Sequence, residues 1–107
     1  MSKSSESSPN TNQPFTEGGN YRGLRFEKGT FSDSILQEVD LTQAVLIDAN
    51  FQNSTLNSCI LDAVQARGIL CKAAKFVNLR AQYGDFEDSS FENATINEAH
   101  LARANFF

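Results

Sequence analysis

Residues 64–81 read VQARGILCKAAKFVNLRA, and at first sight they interrupt a pattern. On either side a large apolar residue returns every five positions. Within the stretch the expected places hold Ala66, Cys71 and Ala81. The fold turns on whether the pattern stops here or continues with its sizes rearranged.

Working outward, every fifth residue before this stretch is Tyr21, Phe26, Phe31, Leu36, Leu41, Leu46, Phe51, Leu56 and Leu61. The same frame then gives Ala66, Cys71, Phe76, Ala81, Phe86, Phe91, Ile96, Leu101 and Phe106. All eighteen are apolar in a chain that is only 40% apolar, so the period reflects internal structure rather than composition. A helix does not explain it, because five residues overshoot a full turn by about 140° and smear the apolar positions around the axis. A flat strand fails too, since an odd step alternates faces. The residue two before each centre is never charged and usually small, as at Ala44, Ala49, Ser54, Ala74, Gly84 and Ala94. Positions two apart on an extended segment point the same way, so both face one interior. The other three positions of each unit carry nearly all the polar side chains.

Where the centre shrinks, its inward partner grows: Val64 with Ala66, Ile69 with Cys71, Leu79 with Ala81. Interiors are packed to near crystal density, and exchanging sizes between adjacent inward positions conserves the filling of a layer. A two-residue slip of the frame would instead turn Asp62, Arg67 and Lys72 inward, and unpaired buried charge is prohibitive. The pattern therefore continues through the stretch.

Ala49-Asn50-Phe51-Gln52-Asn53 now carries a resemblance. With Ala104-Asn105-Phe106, Val39-Asp40-Leu41 and Gly84-Asp85-Phe86, it is similar to the unit of the pentapeptide-repeat family: Ala, Asp or Asn, Leu or Phe, then two variable residues. Most other units keep only the inward pair, as in a divergent member. The resemblance covers residues 19–107 and implies an all-β fold, a right-handed quadrilateral parallel β-helix of about four and a half coils. Each unit would form one side, with corners near the second residue after each centre, where Gly23, Asn53, Gly68, Asn78 and Asn93 suit turns. Twenty residues per coil would stack Phe31, Phe51, Cys71 and Phe91 on one side and Leu36, Leu56, Phe76 and Ile96 on the next. Leu41, Leu61, Ala81 and Leu101 would share the third side, and Phe26, Leu46, Ala66, Phe86 and Phe106 the fourth. Residues 1–18, rich in Ser, Asn, Pro and Gly, are expected to form a disordered tail that buries too little surface to offset chain entropy. That tail has no apolar signal core, and the expected compartment is the cytoplasm.

Chemistry-bearing residues are sparse. His100 precedes a centre and should face solvent, with no Cys or second His at metal-ligand spacing. Cys59 and Cys71 fall at inward positions on opposite sides, which suits buried thiols in a reducing compartment. The expectation is a protein that is not an enzyme and needs no cofactor or metal.

Three surface features remain as candidate interfaces. Arg67, Lys72, Lys75 and Arg80 lie in a run without acids and would form a belt on four sides of one coil, able to dock an acidic partner. Asp85, Glu87 and Asp88 share the side that also carries Glu27 and Asp48. Leu101, Phe106 and Phe107 form a last layer that would seek cover, by end-to-end homodimerisation or by adjoining coils. The function these features suggest is a scaffold or adaptor presenting rigid faces to another protein. The resemblance implies two alternatives: a mimic of duplex DNA acting on DNA gyrase, as in the quinolone-resistance type, or a domain of a secretion-associated protein. Charge weighs against the first, because duplex DNA presents about twelve charges over 20 Å. Residues 19–107 carry eleven acids against eight bases. An acidic chain, net −4, also disfavours direct binding to nucleic acid or to an anionic membrane.

Overall fold

The structure is a computed structural model that describes residues 15–106. Its logic is visible at a single residue. Leu46 N–H donates to the Gln65 carbonyl at 2.7 Å, and Gln65 N–H donates to the Ala44 carbonyl at 2.9 Å. The residue before each centre is thus gripped from both sides by the neighbouring coil, in parallel. Every pairing keeps one offset of twenty residues, from Asn20 with Asp40 to Asp85 with Asn105. Among the described residues one side is extended enough to form regular strands: β1 (Ile35–Gln37), β2 (Thr55–Asn57), β3 (Lys75–Arg80) and β4 (Thr95–His100). They make one parallel sheet in the order β1-β2-β3-β4, with Leu36 opposite Leu56, Leu56 opposite Phe76 and Phe76 opposite Ile96. The remaining sides are held by single bridges at the same offset. The four stacks expected from the sequence are the four walls of the core.

The corners set this geometry. Every residue two past a centre, from Gly18 to Arg103, has a positive φ between 55° and 72°. A left-handed residue in the third place is what a type II turn requires. Most corners are closed by the centre's carbonyl accepting from the N–H three residues on, as in Ala44 to Leu41 and Ala49 to Leu46, both 3.0 Å. An Asn or Asp before the centre adds a second tie, because its side-chain oxygen accepts the N–H just past the centre. Asn50 receives Gln52 N–H at 2.9 Å and Asp40 receives Thr42 N–H at 3.0 Å. That is the physical reason for Asn or Asp at this place in the unit. The corners after Leu36 and Leu56 lack the turn bond among the described residues. There the chain stays extended, and the Leu36 carbonyl is met instead by the Cys59 thiol at 3.4 Å.

Inward pairs fill the core as the size rule requires. Val64, Ala66, Ile69, Cys71, Leu79 and Ala81 are all buried, so the inverted stretch continues the wall without a break. Hydroxyls at the small position donate to the centre carbonyl one coil back: buried Ser54 Oγ to Phe31 at 2.7 Å and half-buried Ser89 Oγ to Ala66 at 3.0 Å. Gly84 shows the limit of smallness. The Phe86 ring folds back over it so closely that a Cβ would lie 2.6 Å from a ring carbon.

The amino-terminal boundary differs from the sequence expectation. Residues 1–14 of the expected tail lie outside the described residues, but Phe15 is only 2% exposed and opens the β-helix. Its ring sits over the first coil, 5.0 Å from Tyr21, 5.3 Å from Phe26 and 5.1 Å from Phe31 between centroids. Thr16 N–H donates to the Tyr21 hydroxyl at 2.8 Å, and Gly18 N–H to the Gln37 carbonyl at 2.9 Å. Burying a Phe is worth roughly 1.5–3 kcal/mol and each good aromatic contact ~0.5–1.5 more, a gain of the same order as the cost of ordering the few residues that carry it. The expected disordered tail over residues 1–18 is therefore corrected at its inner end: Phe15 plugs the first coil.

Two substitutions test this packing by urea denaturation. Ile69→Ala should cost about 2–5 kcal/mol, and adding Cys71→Leu should recover part of the loss; strict additivity would mean the two side chains do not share a layer. Phe15→Ala should cost about 3 kcal/mol and speed amide exchange in the first coil while sparing the third. Uniform loosening of all coils would contradict a local plug.

Candidate interaction surfaces

The coil geometry sends Arg67, Lys72, Lys75 and Arg80 to four different sides, as expected from their spacing. Two of the four are already engaged. Arg67 lies 3.4 Å from Glu87, its neighbour one coil on, and Arg80 lies 2.9 Å from Asp62. Asp62 also accepts Gln82 N–H at 2.9 Å, so it clamps two coils together. Both arginines are more than half exposed, and such pairs contribute roughly 0–1 kcal/mol. Lys72 and Lys75 are exposed and belong to no ion pair among the described residues.

The acidic trio divides in the same way. Asp85 Oδ1 accepts Glu87 N–H at 3.1 Å, which is the turn tie described above. Glu87 is paired with Arg67. Asp88 stands at an exposed corner with φ 61°. On the same side Arg25 grips Glu27 at 2.8 Å, which neutralises another carboxylate.

The carboxy-terminal end is different in kind. Phe76, Leu79, Phe86, Phe91, Ile96, Leu101 and Phe106 line an apolar hollow at the mouth of the coil. Phe106 stacks on Phe86 with centroids 5.2 Å apart and planes 11° apart, and Phe91 meets it edge-on at 5.8 Å. Ile96 is 48% exposed and Phe106 39%, while Leu101 is half-buried. Phe107, which belongs to the expected end layer, lies outside the described residues. Phe91 and Ile96 are the members of this layer that sequence reasoning left out, although both are centres of the five-residue frame. Tyr83 was missed too, 61% exposed at a left-handed corner with Arg103 over its ring at 6.0 Å.

The pentapeptide-repeat family model matches residues 30–62 with eight copies of the unit. Residues 30–62 are therefore pentapeptide repeats, and the same five-residue frame continues on both sides of them. The β-helix is right-handed, as in the solved members it resembles. A pentapeptide-repeat protein from the cyanobacterium Cyanothece shares the fold at 12% identity, covering 84% of this chain and 89% of that one with a TM-score of 0.55. A pentapeptide-repeat protein from the Arabidopsis thaliana thylakoid lumen is 20% identical over 74% of this chain, with a TM-score of 0.43. The plasmid-mediated fluoroquinolone resistance protein QnrB1 is 19% identical over 85% of this chain, with a TM-score of 0.49. This chain spans 62% of the plant protein and 54% of QnrB1. No curated protein matches the sequence.

The β-helical core keeps its reactive groups out of reach. Cys59 and Cys71 are free buried thiols. Burial pushes the Cys59 thiol up to about 11, partly offset by backbone hydrogen bonds, and the Cys71 thiol up to about 12. The ordinary value is 9.0. Below that pH both states keep the proton; above it the unfolded chain ionises first, so stability falls as pH rises towards the folded values. Urea denaturation from about pH 8 to about pH 11 should therefore show a steeper loss in wild type than in Cys71→Ala, and thiol alkylation should be slow until the protein unfolds. Rapid alkylation of the folded protein at neutral pH would contradict the burial.

Proposed function

We propose that this β-helical protein is a non-enzymatic, protein-binding scaffold whose partner engages the carboxy-terminal end of the rod. The observation that carries this is the contrast between the two ends. Phe15 closes one with a buried ring, whereas the other exposes Ile96 and Phe106 around an apolar hollow. Apolar side chains exposed together at one face of a solenoid favour cover by another protein surface. The sides are rigid, hydrogen-bonded walls with mixed charge, suited to secondary contacts through Lys72, Lys75 and Asp88. The thiols are sequestered and His100 is exposed alone, which fits a binding role better than a catalytic one.

Charge argues against a DNA-mimicking action on gyrase. The most acidic side holds Glu27, Asp48, Asp85, Glu87 and Asp88 against Arg25, Lys28 and Arg67, and two of those acids are paired. A duplex would present several times that charge over the same length.

Affinity capture from native cell extract tests the proposal, comparing wild type with Phe106→Glu and with the pair Lys72→Glu, Lys75→Glu. A partner held by wild type and by the lysine pair, but lost with Phe106→Glu, supports it. A partner lost only with the lysine pair moves the interface to the sides. Inhibition of gyrase supercoiling at low micromolar protein would replace the proposal with the mimicry reading.

A further inference from the structure

Tyr83 departs from the rule that the other corners keep. Among the described residues it is the one aromatic side chain at a left-handed corner, φ 64°, a conformation that suits bulky residues poorly. The other corners that are not glycine carry polar side chains or alanine. Coils lie on both sides of Tyr83, which donates its N–H to the Ala102 carbonyl at 2.9 Å while the Gln82 carbonyl accepts Ala63 N–H at 2.8 Å. The ring is nevertheless 61% exposed, so folding gains little from it. The Arg103 guanidinium, from the corner one coil on, stands 6.0 Å from the ring centre. One coil back the same corner is Ala63, which offers only a methyl. This side also gathers base. Arg80 on β3 stands opposite His100 on β4, and Arg103 follows three residues later. Residues 79–83 and 99–103 include no carboxylate. Arg80 is bonded to Asp62 and still 54% exposed, while His100 and Arg103 are exposed and belong to no ion pair among the described residues. Acids fence the patch: Glu98 before it, Asp85 beyond it and Asp62 one coil back.

We infer that the side carrying Tyr83 and Arg103 docks a short acidic segment of a partner protein. One carboxylate of the segment pairs with Arg103, and a second reaches Arg80 and His100. A guanidinium already seated over an aromatic face is pre-oriented, so less side-chain freedom is lost when it takes up a carboxylate. The exposed ring gives the rest of the segment a flat apolar surface. This adds a lateral site to the scaffold reading above, and it rests on that reading only in taking the partner to be a protein. Nucleic acid fits less well. The patch measures roughly 10 by 16 Å, two coil spacings by five extended residues. A polyanion running past it would meet Glu98, Asp85 or Asp62, whereas one or two carboxylates stop within it.

The probe is the free peptide GDEDEG, compared with its uncharged counterpart GNQNQG. Each is titrated into the isotopically labelled full chain at about 0.15 M salt, and amide chemical shifts are followed. The acidic peptide should bind with a Kd between about 0.1 mM and about 5 mM, moving the amides of residues 80–83 and 100–103. The uncharged peptide should bind at least about fivefold more weakly. Arg103→Gln and Tyr83→Ala should each weaken binding about threefold or more, and Tyr83→Phe should preserve it. Both weakening variants should keep the urea midpoint of the wild type, because Gln43 and Ala63 already hold equivalent corners. Equal binding of the two peptides, no binding at about 10 mM, or shifts centred on other residues overturns the inference. So does a Tyr83→Ala variant that lowers the urea midpoint and leaves the affinity unchanged, which would make the ring a part of the fold. A short DNA duplex that moves the same amides at lower concentration overturns it in favour of nucleic acid. None of these outcomes bears on capture of a partner through Phe106, so the scaffold reading stands or falls separately.

Discussion

The residue two past each inward centre must hold a left-handed backbone, and the rest of the structure depends on that demand. Fifteen residues other than glycine do so, among them Ala63, Ala73 and Tyr83, which gain nothing locally from that conformation. At about 1 kcal/mol each or more, the sum rivals the net stability of a whole domain. No corner would persist alone. Each is held because its neighbours above and below make the same turn, so the coil-to-coil hydrogen bonds and the inward packing are satisfied only when all corners agree. The fold is cooperative along its axis for that reason.

That view explains how the two inward positions can trade bulk. The corner fixes where the backbone goes, and the layer inside needs only a fixed volume. Val64 over Ala66 fills it as well as Ala49 over Phe51, and Gly84 lets the Phe86 ring lie where a methyl would otherwise be. It also explains the polar side chains that the interior tolerates. Ser54, Ser89 and Cys59 sit at small positions, each within reach of a centre carbonyl on the coil before.

What could be read from the sequence follows from the same physics. The five-residue frame, the inward pair and the twenty-residue stacking were legible because burial acts on every unit alike. Phe15 was not, because it lies one residue off the frame and its value comes from three rings brought together only by coiling. The belt of bases was visible as a run, but its neutralisation was not, since Glu87 and Asp62 lie 20 and 18 residues from the arginines they meet. Corners at Asn53 and Gly68 announce themselves; those at Ala73 and Tyr83 are imposed by the neighbouring coils. The exposed layer around Phe106 was legible from the frame, and Ile96 joins it through the coiling that sets it beside Leu101.

Amide hydrogen exchange resolved by residue tests the central claim most directly. In the middle coils four of every five amides have a backbone acceptor: the centre, the residue two past it, and the two that follow, as at Leu46, Asp48, Ala49 and Asn50. The amide one past the centre has none, as at Ile47, Arg67 and Lys72. The account predicts exchange with a period of five, fast at Ile47, Arg67 and Lys72 and protected at their neighbours. Protection that alternates every second residue, or a continuous fast stretch across 64–81, would contradict it.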